Sequence, residues 1–481
     1  MTLWSNPRVR TVLELVVLRA EDSYVVGGAV RDNLMGLDRG TDIDLAVQGD
    51  GYAVARDIAD ALGPGAAFVP LDRTRGTGRL VLTEGDAVTI DVSAFKGSDI
   101  VEDLTRRDFT INALAVKMRD LLQFGMTVPI DPLGGVADIK EKRIRACSND
   151  SFRDDPIRIL RAFRFSASLG FEVTSETASM IPPCVESLVN VAGERIRDEF
   201  VAVLSCGSSV TALRAMESYG VLAAVLPELR PMKGCGQNEY HHLDVWGHTL
   251  EAIERLEWIV AHRSTLFGDV TDTVTSYLFE EPVVGRPRVA LLKLVILFHD
   301  SGKPRTRTSD ATGRVRFFGH EKVSRDLFLD AGRRMKLSKR ELEIVGGMIE
   351  GHMRPTILTD DSVSKRAVYR LCRKFDRDLP GLFLVYLSDL SASRGPARPK
   401  GERERAFERA REVLTWYMGL KKRRVPLVNG HDLMSTFGIA PGPYVGKLLR
   451  QLAELRDRDK ITTREQALAA AKMLIEKDDK P

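Results

Sequence analysis

The chain has 481 residues, more than one hydrophobic core organises, so about two to four domains are expected. Hydrophobic residues make up 43% and charged residues 29%, a balance typical of a soluble globular protein and not of a disordered or fibrous one. A formal net charge of +4 is too small to attract nucleic acid over the whole surface, so a nucleic-acid site requires a local basic patch.

Sequence patterns argue against a secreted or membrane protein. The five cysteines are scattered without a Cys-x-x-Cys pair or zinc-ligand spacing, which predicts reduced thiols. Arg8, Arg10 and Arg19 interrupt the N-terminal apolar residues, so we expect no signal peptide. No uncharged apolar run approaches the roughly 18 residues of a membrane span. We therefore expect a cytoplasmic protein that makes no contact with a membrane.

Residues 1–20 and 51–62 have helical spacing and predict helices. Short strands are expected around residues 67–69, 78–82 and 88–94. Strands that alternate with helices near the start, followed by a long helical remainder, predict an α+β protein with a small mixed-sheet head on an all-α body.

Residues 22–47 carry the first candidate site. Tyr24–Val26 predicts a short buried strand, Gly27 and Gly28 predict a tight turn, and Ala29–Met35 predicts a helix. Glycines allow backbone N–H groups to approach a ligand closely. A helix that begins directly after such a turn is suited to binding an anion.

The second strand of this stretch carries Asp42 and Asp44, which project from the same face because strand side chains alternate. Two carboxylates beside a glycine turn and Arg31 predict a site for Mg²⁺ and a nucleoside triphosphate. The alternative is a surface aspartate pair beside an ordinary turn. Asp91, in a later predicted strand, is a candidate third catalytic carboxylate or faces solvent.

Arg106, Arg107, Asp108 and Asn112 are predicted to open a helix, with Asp108 near its N-terminus. In the functional interpretation, the Arg107 guanidinium offers paired donors to triphosphate oxygens. The alternative is an ordinary capped helix with one apolar face in the core. Residues 131–135 follow as a turn that closes the head.

Residues 154–171 predict a helix on which Asp155, Arg158, Arg161 and Arg164 recur every third residue. A carboxylate can accept from the exocyclic amine of CTP or ATP while an arginine donates to the neighbouring ring nitrogen. UTP and GTP have the opposite polarity and would leave buried groups unpaired. The alternative is a solvated helix with salt bridges. Arg161 and Arg164 would hold a phosphate or the adjacent helix.

Residues 240–400 contain a second group of candidate ligands on or near predicted helix ends. A His-Asp doublet with a histidine before it and an aspartate after it fits a closed set of nitrogen and oxygen metal ligands. The candidate ligands are His248, His299, Asp300, His320, His352 and Asp389. His241 and His242 are left without a role. Basic stretches at residues 364–374 and 421–424 are solvated faces or line a groove for RNA phosphates.

Four motifs resemble class II tRNA nucleotidyltransferases, the family of CCA-adding enzymes and bacterial poly(A) polymerases. They are GGAVRD at 27–32, TDIDLAV at 41–47, RRDFTINALA at 106–115 and DDPIRILRAFRFSASLGF at 154–171. The resemblance implies a polymerase-β-like head that uses Mg²⁺, with Asp42, Asp44 and Asp91 as catalytic residues. It implies nucleotide binding by Gly27, Gly28, Arg31, Arg107, Asp108, Asn112, Asp155, Arg158, Arg161 and Arg164. The family's Glu-Asp-x-x-Arg pattern falls on Asp154, Asp155 and Arg158, with aspartate in place of glutamate.

Residues 96–101 form an unusually short segment before the RRDFT motif. Family members that add only the two cytidines are similar in lacking a longer flexible loop here. The second group of ligands resembles an HD-family phosphohydrolase domain. In that resemblance His248, His299, Asp300 and Asp389 form the minimal set for a divalent transition metal or Mg²⁺. His320 and His352 match the extra ligands of two-metal members, which attack phosphate esters such as 2′,3′-cyclic phosphates.

Four domains are expected: a nucleotidyltransferase head at 1–145, a helical neck with the base-reading helix at 146–235, an HD domain at 236–395 and a helical RNA-binding tail at 400–481. The leading hypothesis is addition of C, C and A, or of C and C alone, to the tRNA 3′ end from CTP and ATP. The alternatives are a poly(A) polymerase and an HD phosphohydrolase with a nucleotide-binding head. The expected partner is tRNA, and the chain is expected to be a monomer or dimer.

Overall fold

The computed structural model describes residues 4, 6–37, 42–74, 76–83, 85, 88–311, 313–360, 362–422, 427–457 and 460–478, without the side chains of residues 420–422, 457 and 477–478. Thr41 and the side chains of the predicted basic run at 421–424 lie outside this description. The α+β class is confirmed, because strands gather near the start of the chain and helices follow. The strands are β1 (Ser23–Val26), β2 (Asp42–Val47), β3 (Ala66–Asp72), β4 (Thr77–Leu82), β5 (Val88–Ala94), β6 (Ala115–Lys117), β7 (Arg143–Ile144), β8 (Glu172–Val173), β9 (Thr308–Ser309) and β10 (Val315–Arg316).

Helices make up most of the remaining described chain. They are α1 (Pro7–Arg19), α2 (Gly28–Leu34), α3 (Gly51–Leu62), α4 (Ile100–Thr105), α5 (Met118–Phe124), α6 (Gly135–Lys140), α7 (Ser151–Asp154), α8 (Ile157–Leu169), α9 (Ser175–Ser179), α10 (Gly193–Ser205), α11 (Ser209–Ser218), α12 (Val221–Val225), α13 (Val245–Ala261), α14 (Arg263–Phe267), α15 (Thr271–Phe279), α16 (Arg288–Phe298), α17 (Lys303–Thr306), α18 (His320–Arg334), α19 (Lys339–Gly351), α20 (Lys365–Phe375), α21 (Leu379–Ala392), α22 (Glu402–Lys422), α23 (Gly430–Phe437), α24 (Pro443–Asp457) and α25 (Arg464–Asp478).

The head is built on one six-stranded mixed sheet in the order β3-β4-β5-β2-β1-β6. Strands β2 and β5 pair in parallel, and each other neighbouring pair is antiparallel. Ile43 and Leu45 of β2 are buried, whereas Asp42 and Asp44 are exposed on the opposite face. The alternation expected of a strand therefore separates the core-forming residues from the candidate catalytic carboxylates.

The helix predicted to open at Arg106 is absent from this described part of the chain, so that prediction is wrong. Helix α4 ends at Thr105, and Thr110–Asn112 form a single 3₁₀ turn before β6. The Asp108 side chain accepts from the Phe109 N–H and from Asn112 Nδ2, so it satisfies local donors without a regular helix. The residues that the alternative interpretation assigned to the core, Ile111, Leu114 and Ala115, are fully buried.

By internal packing the chain divides into two compact units. The first comprises residues 1–261, 278–353 and 384–398, and the second comprises residues 262–277, 354–383 and 399–481. In the first unit, α16 is buried along its whole length, which accounts for its almost uninterrupted apolar sequence. In the second unit, α23, α24 and α25 share a core that includes Leu433 and Leu448.

No helix in the described part of the chain combines the length and the apolar character that crossing a membrane requires.

Candidate functional site

The turn between β1 and α2 places the backbone against two of the predicted site residues. Gly27 has φ +73°, a conformation that side-chain-bearing residues rarely adopt. A Cβ atom at Gly27 would lie 3.2 Å from Arg107 Nη1 and 3.4 Å from Asp44 Oδ2. The Arg107 guanidinium is held by Asp103, with Nη2 2.9 Å from the carboxylate. The glycine turn, one guanidinium and one carboxylate therefore meet at one point.

Strand register brings the candidate carboxylates together. Asp44 of β2 pairs with Asp91 of the parallel strand β5, and Asp91 pairs with Arg79 of β4, so the three share one face. Arg79 donates to both Asp91 oxygens at 2.7 and 2.9 Å. Solvent reaches Asp44, but the surrounding protein atoms partly desolvate its carboxyl and, together with the neighbouring Asp91, raise its pKa, although Arg107 opposes them. Asp42 lies on the same face of β2 and is exposed to solvent.

These carboxylates open onto a cavity of about 1050 Å³ in the first compact unit. Asp44, Asp91 and Ser93 form one wall, and Asp154, Asp155, Arg158 and Arg195 contribute a second. Drug-sized ligands occupy pockets of roughly 300–1,000 Å³, so a nucleoside triphosphate fits in this volume. The aspartate motif of β2 and the motif at residues 154–158 are more than 100 residues apart in the chain. The structure brings both to one site.

The single helix predicted over residues 154–171 is interrupted. Helix α7 ends at Asp154, Asp155 is extended with φ −150°, and Pro156 precedes α8. A proline disfavours helical backbone at the residue before it, which explains the break. Asp155 consequently lies off the helix at the rim of the cavity, where Arg195 donates to both of its carboxylate oxygens at 3.1 and 2.7 Å.

Arg158 lies on the first turn of α8 and lines the same cavity. Its Nη1 donates to Ser151 Oγ at 3.0 Å, and its Nη2 donates to the Arg106 carbonyl at 2.8 Å. These bonds fix the plane of the guanidinium. A hydrogen-bond acceptor, Asp155, and a donor, Arg158, therefore face the cavity three residues apart.

The remaining predicted nucleotide-binding side chains form a network that does not line this cavity. Arg161 lies 2.7 Å from Asp108 and 3.1 Å from Glu199 of α10, and Arg164 lies 2.7 Å from Glu199. Burial alone would raise the pKa of Asp108, but Arg161 and the hydrogen bonds from Asn112 and the Phe109 N–H together outweigh burial and lower it. Arg161 and Arg164 thus hold the adjacent helix α10, one of the two roles predicted for them.

Arg31 and Asn112 belong to the same buried network. Arg31 Nη1 donates to Asn112 Oδ1 at 2.6 Å, and its Nη2 lies 2.7 Å from Asp32. Its guanidinium also lies 5.2 Å above the Phe165 ring, which Arg164 covers at 4.3 Å. Arg31 therefore uses its donors inside the protein, at the back of the Gly27 turn.

Sequence reasoning missed several residues that line the cavity. Ser93 follows Asp91 by two positions on β5, and strand alternation alone could have identified it. Arg73, Thr74 and Lys96 lie in connections outside regular elements, where no periodicity exists to reveal them.

The second group of candidate ligands converges as predicted, from five helices of the first unit. His248 lies within α13 and Asp389 within α21, His320 begins α18, and His299 and His352 cap the C-termini of α16 and α19. We call these residues, together with Asp300, the histidine cluster. All of them except Asp389 are at most 7% exposed.

Asp300 divides the histidine cluster into two halves. Its Oδ2 lies 3.2 Å from His299 Nε2, and its Oδ1 lies 3.3 Å from His320 Nε2. On the first side, His248 Nε2 contacts Asp389 Oδ1 at 2.8 Å. On the second side, His320 and His352 face each other with Nε2 atoms 3.3 Å apart.

The tautomers of three histidines are fixed by the backbone. His299, His320 and His352 each place Nδ1 at 2.7 to 2.8 Å from the carbonyl three residues earlier, so Nδ1 carries the proton. The Nε2 atoms of all three rings then point into the cluster, and those of His320 and His352 face each other at 3.3 Å. His299 Nε2 is buried and lies 3.2 Å from Asp300 Oδ2, in a geometry that does not satisfy a hydrogen bond. A cation between these atoms resolves both features, so the donor set fits a divalent metal ion.

Electrostatics in the histidine cluster follow from burial and neighbouring charge. Burial lowers the pKa of His352 to about 3, so its ring is neutral and able to act as a ligand. Although burial opposes them, Asp300 and Asp389 raise the pKa of His299 to about 10, so its Nε2 holds a proton that a bound metal ion would replace. His241, which had no predicted role, also belongs here, because its ligand atom lies within 4.8 Å of those of His248 and Asp389.

Comparison with known proteins was made on both sequence and structure. Three family models match: the poly(A) polymerase head domain at residues 23–145, the probable RNA and SrmB-binding site of polymerase A at 170–233, and the HD domain at 245–379. Solved structures of a CCA-adding enzyme in apo form I and of the Thermotoga maritima CCA-adding enzyme with tRNA have TM-scores of 0.59 and 0.58. Their identities are 23% and 24%, over 96% and 98% of this chain and 94% and 96% of theirs, so they establish a shared fold.

Two curated relatives match along nearly their whole length. The A-adding tRNA nucleotidyltransferase of Deinococcus radiodurans is 34% identical over 92% of this chain and 94% of its own. The CC-adding tRNA nucleotidyltransferase of Thermus thermophilus is 32% identical over 93% of each chain. Together with the cavity that joins the strand carboxylates to Asp155 and Arg158, these matches show that the chain belongs to the tRNA nucleotidyltransferase family, metal-dependent enzymes whose poly(A) polymerase-type head is here followed by an HD domain.

Proposed function

We propose that this chain transfers nucleotides from CTP and ATP to the 3′ end of tRNA without a nucleic-acid template. The observation that carries the proposal is the shared cavity: Asp44 and Asp91 on the sheet face open onto the same volume as Asp155 and Arg158. One wall has the groups that phosphoryl chemistry requires, and the other has the groups that distinguish bases.

Asp42 and Asp44 fit two Mg²⁺ ions. Desolvation and, to a lesser degree, the neighbouring Asp91 raise the pKa of the Asp44 carboxyl, and a bound cation would favour its charged form. When bound, Mg²⁺ would polarise the reacting phosphate and neutralise charge on the leaving pyrophosphate. Arg107 would bind triphosphate oxygens, because its Nη1 points to the Gly27 turn. Gly27 and its neighbour Gly28 would let the backbone approach the same oxygens.

Base selection is assigned to Asp155 and Arg158. The Arg195 pair uses one direction of each Asp155 oxygen, and a carboxylate retains further lone pairs for an exocyclic amine. Arg158 has donors beyond those bound to Ser151 and Arg106, which a ring nitrogen can accept. The five residues between β5 and α4, 95–99, leave no room for a long loop and favour addition of cytidines.

The division into head, neck, HD domain and tail is part of this proposal. The helical regions after the head would supply the contacts to RNA. In the second unit, α20 buries Val368, Leu371 and Phe375 and exposes the basic residues Lys365, Arg366, Arg370, Arg373 and Lys374. Such a one-sided basic helix is suited to the phosphates of a tRNA acceptor stem.

A second activity is proposed for the histidine cluster: hydrolysis of phosphate esters. The observation that favours it is the fixed orientation of three Nε2 atoms around the two oxygens of Asp300. A divalent ion held there would polarise a phosphoryl oxygen and acidify water. Lys303, 2.6 Å from Asp300, would steady the anionic substrate.

The experiment uses the purified chain and tRNA lacking its CCA end, with CTP alone, ATP alone or both. Growth by two residues with CTP alone indicates CC addition, and one more residue with ATP indicates full CCA addition. A long adenosine tail would identify a poly(A) polymerase instead. No extension with retained phosphatase activity would leave only the hydrolase.

The double variant Asp42→Asn/Asp44→Asn should abolish extension, and an undiminished rate would contradict the proposal. Its control is Asp57→Asn/Asp60→Asn, which makes the same change of charge on the exposed face of α3.

A further inference from the structure

Three charged side chains form a row across the middle of the head sheet. Asp44 of β2 pairs in register with Asp91 of β5, and Asp91 pairs in register with Arg79 of β4. Neighbouring strands lie about 4.8 Å apart, and side chains directly opposite each other on one face interact. Asp91 is therefore within reach of a cation bound to Asp44, and Arg79 lies on its other side.

Arg79 holds both oxygens of the Asp91 carboxylate. Its Nε donates to Oδ1 at 2.7 Å and its Nη2 donates to Oδ2 at 2.9 Å, the two parallel bonds of a bidentate ion pair. An ionised carboxylate has further lone pairs, but the two that face the guanidinium are those with which it would chelate a cation. Asp91 therefore cannot chelate a metal ion while Arg79 holds it in this way.

The other two carboxylates on this face lack such a partner. Among the residues that the structure describes, no lysine or arginine forms an ion pair with Asp42 or Asp44. Proteins usually bind Mg²⁺ through one or two carboxylates, and phosphate oxygens of the substrate supply further ligands. Asp42 and Asp44 meet this requirement by themselves, so the charge of the third carboxylate, Asp91, is balanced inside the protein.

We propose that Arg79 is a positioning residue that competes with metal ions for Asp91 and so keeps the metal affinity of the head low until a nucleoside triphosphate binds. The inference rests on the proposed magnesium site of Asp42 and Asp44. With Asp91 paired, a metal ion needs the phosphate oxygens of the nucleotide to complete its ligands. Asp91, which the family resemblance counts among the catalytic carboxylates, is then a metal ligand only when Arg79 releases it.

Titration with Mn²⁺ tests this competition without nucleotide and without turnover. Mn²⁺ prefers the same oxygen ligands as Mg²⁺, and the electron paramagnetic resonance signal of free Mn²⁺ reports how much of it the full chain has bound. The histidine cluster can bind Mn²⁺ as well, so the ions of the head are identified as those that Asp42→Asn/Asp44→Asn removes. We call these the head ions, and their Kd is the quantity compared between variants.

Arg79→Gln should bind the head ions more tightly, on the order of tenfold, because it removes a nearby positive charge and frees Asp91 as a ligand. The matched control is Arg119→Gln, which removes the same charge from an exposed ion pair with Glu21 elsewhere in the head. The control should keep the Kd of the wild type within about twofold. Unchanged or weaker binding of the head ions by Arg79→Gln would overturn the proposal.

The double variant Arg79→Gln/Asp91→Asn provides the second measurement, because it removes the ion pair and leaves the net charge unchanged. We expect its Kd for the head ions to stay within about threefold of the wild type, since Asp91 is not a ligand in the wild type. A loss of about tenfold or more would show that Asp91 already binds the ion, and would overturn the proposal. In tRNA extension, Arg79→Gln should lower the half-saturating Mg²⁺ concentration and leave the KM for CTP at saturating Mg²⁺ unchanged.

The metal site and the competition fail separately. If the wild type binds no Mn²⁺ that Asp42→Asn/Asp44→Asn removes, the proposed metal site of the head is wrong. If the wild type binds these ions and Arg79→Gln binds them no more tightly, the metal site stands and the competition by Arg79 is wrong.

Discussion

Replacing Gly27 by alanine tests whether the first turn of the head organises its catalytic residues. Gly27 has φ +73° and ψ −132°, a region of backbone space that is costly for a residue with a Cβ, by about 1–3 kcal/mol. The new methyl group would also lie 3.2 Å from Arg107 Nη1 and 3.4 Å from Asp44 Oδ2. The contact with Arg107 is tighter than a methyl group normally makes and the contact with Asp44 is at the edge of the ordinary range, so the turn or the guanidinium must shift by a few tenths of an ångström.

The expected losses of stability and of activity in Gly27→Ala depend on how this strain is relieved. If the turn keeps its shape, the strain remains in the folded head, and 1 kcal/mol shifts a melting midpoint by roughly 2–4 °C for a unit of about 200 residues. If the turn moves, Arg107 and Asp44 leave the positions assigned to the triphosphate and the metal. Since 1.4 kcal/mol of lost transition-state stabilisation is about tenfold in rate, we expect kcat/KM for CTP to fall at least tenfold.

Gly28→Ala is the matched control. Gly28 has no positive φ, and a Cβ there would make only an ordinary contact, 3.5 Å from Arg31 Nη2. The two variants would be compared by thermal melting and by single-nucleotide extension of tRNA at several CTP concentrations. We expect Gly28→Ala to lose at least fivefold less activity than Gly27→Ala. Equal losses, or a Gly27→Ala protein with wild-type stability and rate, would refute the reasoning.

Three further predictions concern charge and metal. Arg161 helps to lower the pKa of Asp108, so their pair contributes stability that is complete above the unfolded aspartate pKa of about 3.9 and is lost as the pH falls through the folded pKa. Asp108→Asn should therefore flatten the decline in melting temperature below about pH 5. Parallel plots of melting temperature against pH for the variant and the wild type would disprove this. The buried carboxylate of Glu257 lies 2.8 Å from Lys293 Nζ, and Lys293→Met removes this ammonium partner. The free energy of unfolding should fall by about 3–5 kcal/mol, because the carboxylate stays buried without a counter-charge. An unchanged melting midpoint would contradict this. A divalent transition metal at 100 times its Kd should stabilise the wild-type protein by about 2.7 kcal/mol. The metal should raise the melting temperature of the His320→Ala variant by less than that of the wild type. An equal rise in both proteins would argue against the histidine cluster as the binding site.

The head could be predicted from its sequence because its pattern is local. A buried strand, a glycine turn and two aspartates spaced for one strand face are all visible within residues 22–47, and the structure keeps that order. The pairing of Asp44 with Asp91 was not predictable, because register between distant strands is set by the whole sheet.

The errors have identifiable physical causes. The periodicity that suggested one helix from residue 154 ignored Pro156, which forces Asp155 out of helical geometry. The RRDFT segment has the composition of a helix start, but Asp108 satisfies nearby donors itself and β6 pairs with β1 directly afterwards. For Arg161 and Arg164 the sequence left two roles open, a phosphate or the adjacent helix, and Glu199 of α10, which lies against both, selects the second.

The backbone orientation of His299, His320 and His352 bears on how the proposed metal site would exchange ions. Each ring is aimed by a carbonyl only three residues earlier, not by the ion it would bind. The donors are thus preorganised before any metal arrives, and loss of an ion leaves them in place. Different divalent ions should therefore substitute for one another with little rearrangement. Chelation should abolish the proposed phosphohydrolase activity without unfolding the helices that hold the ligands.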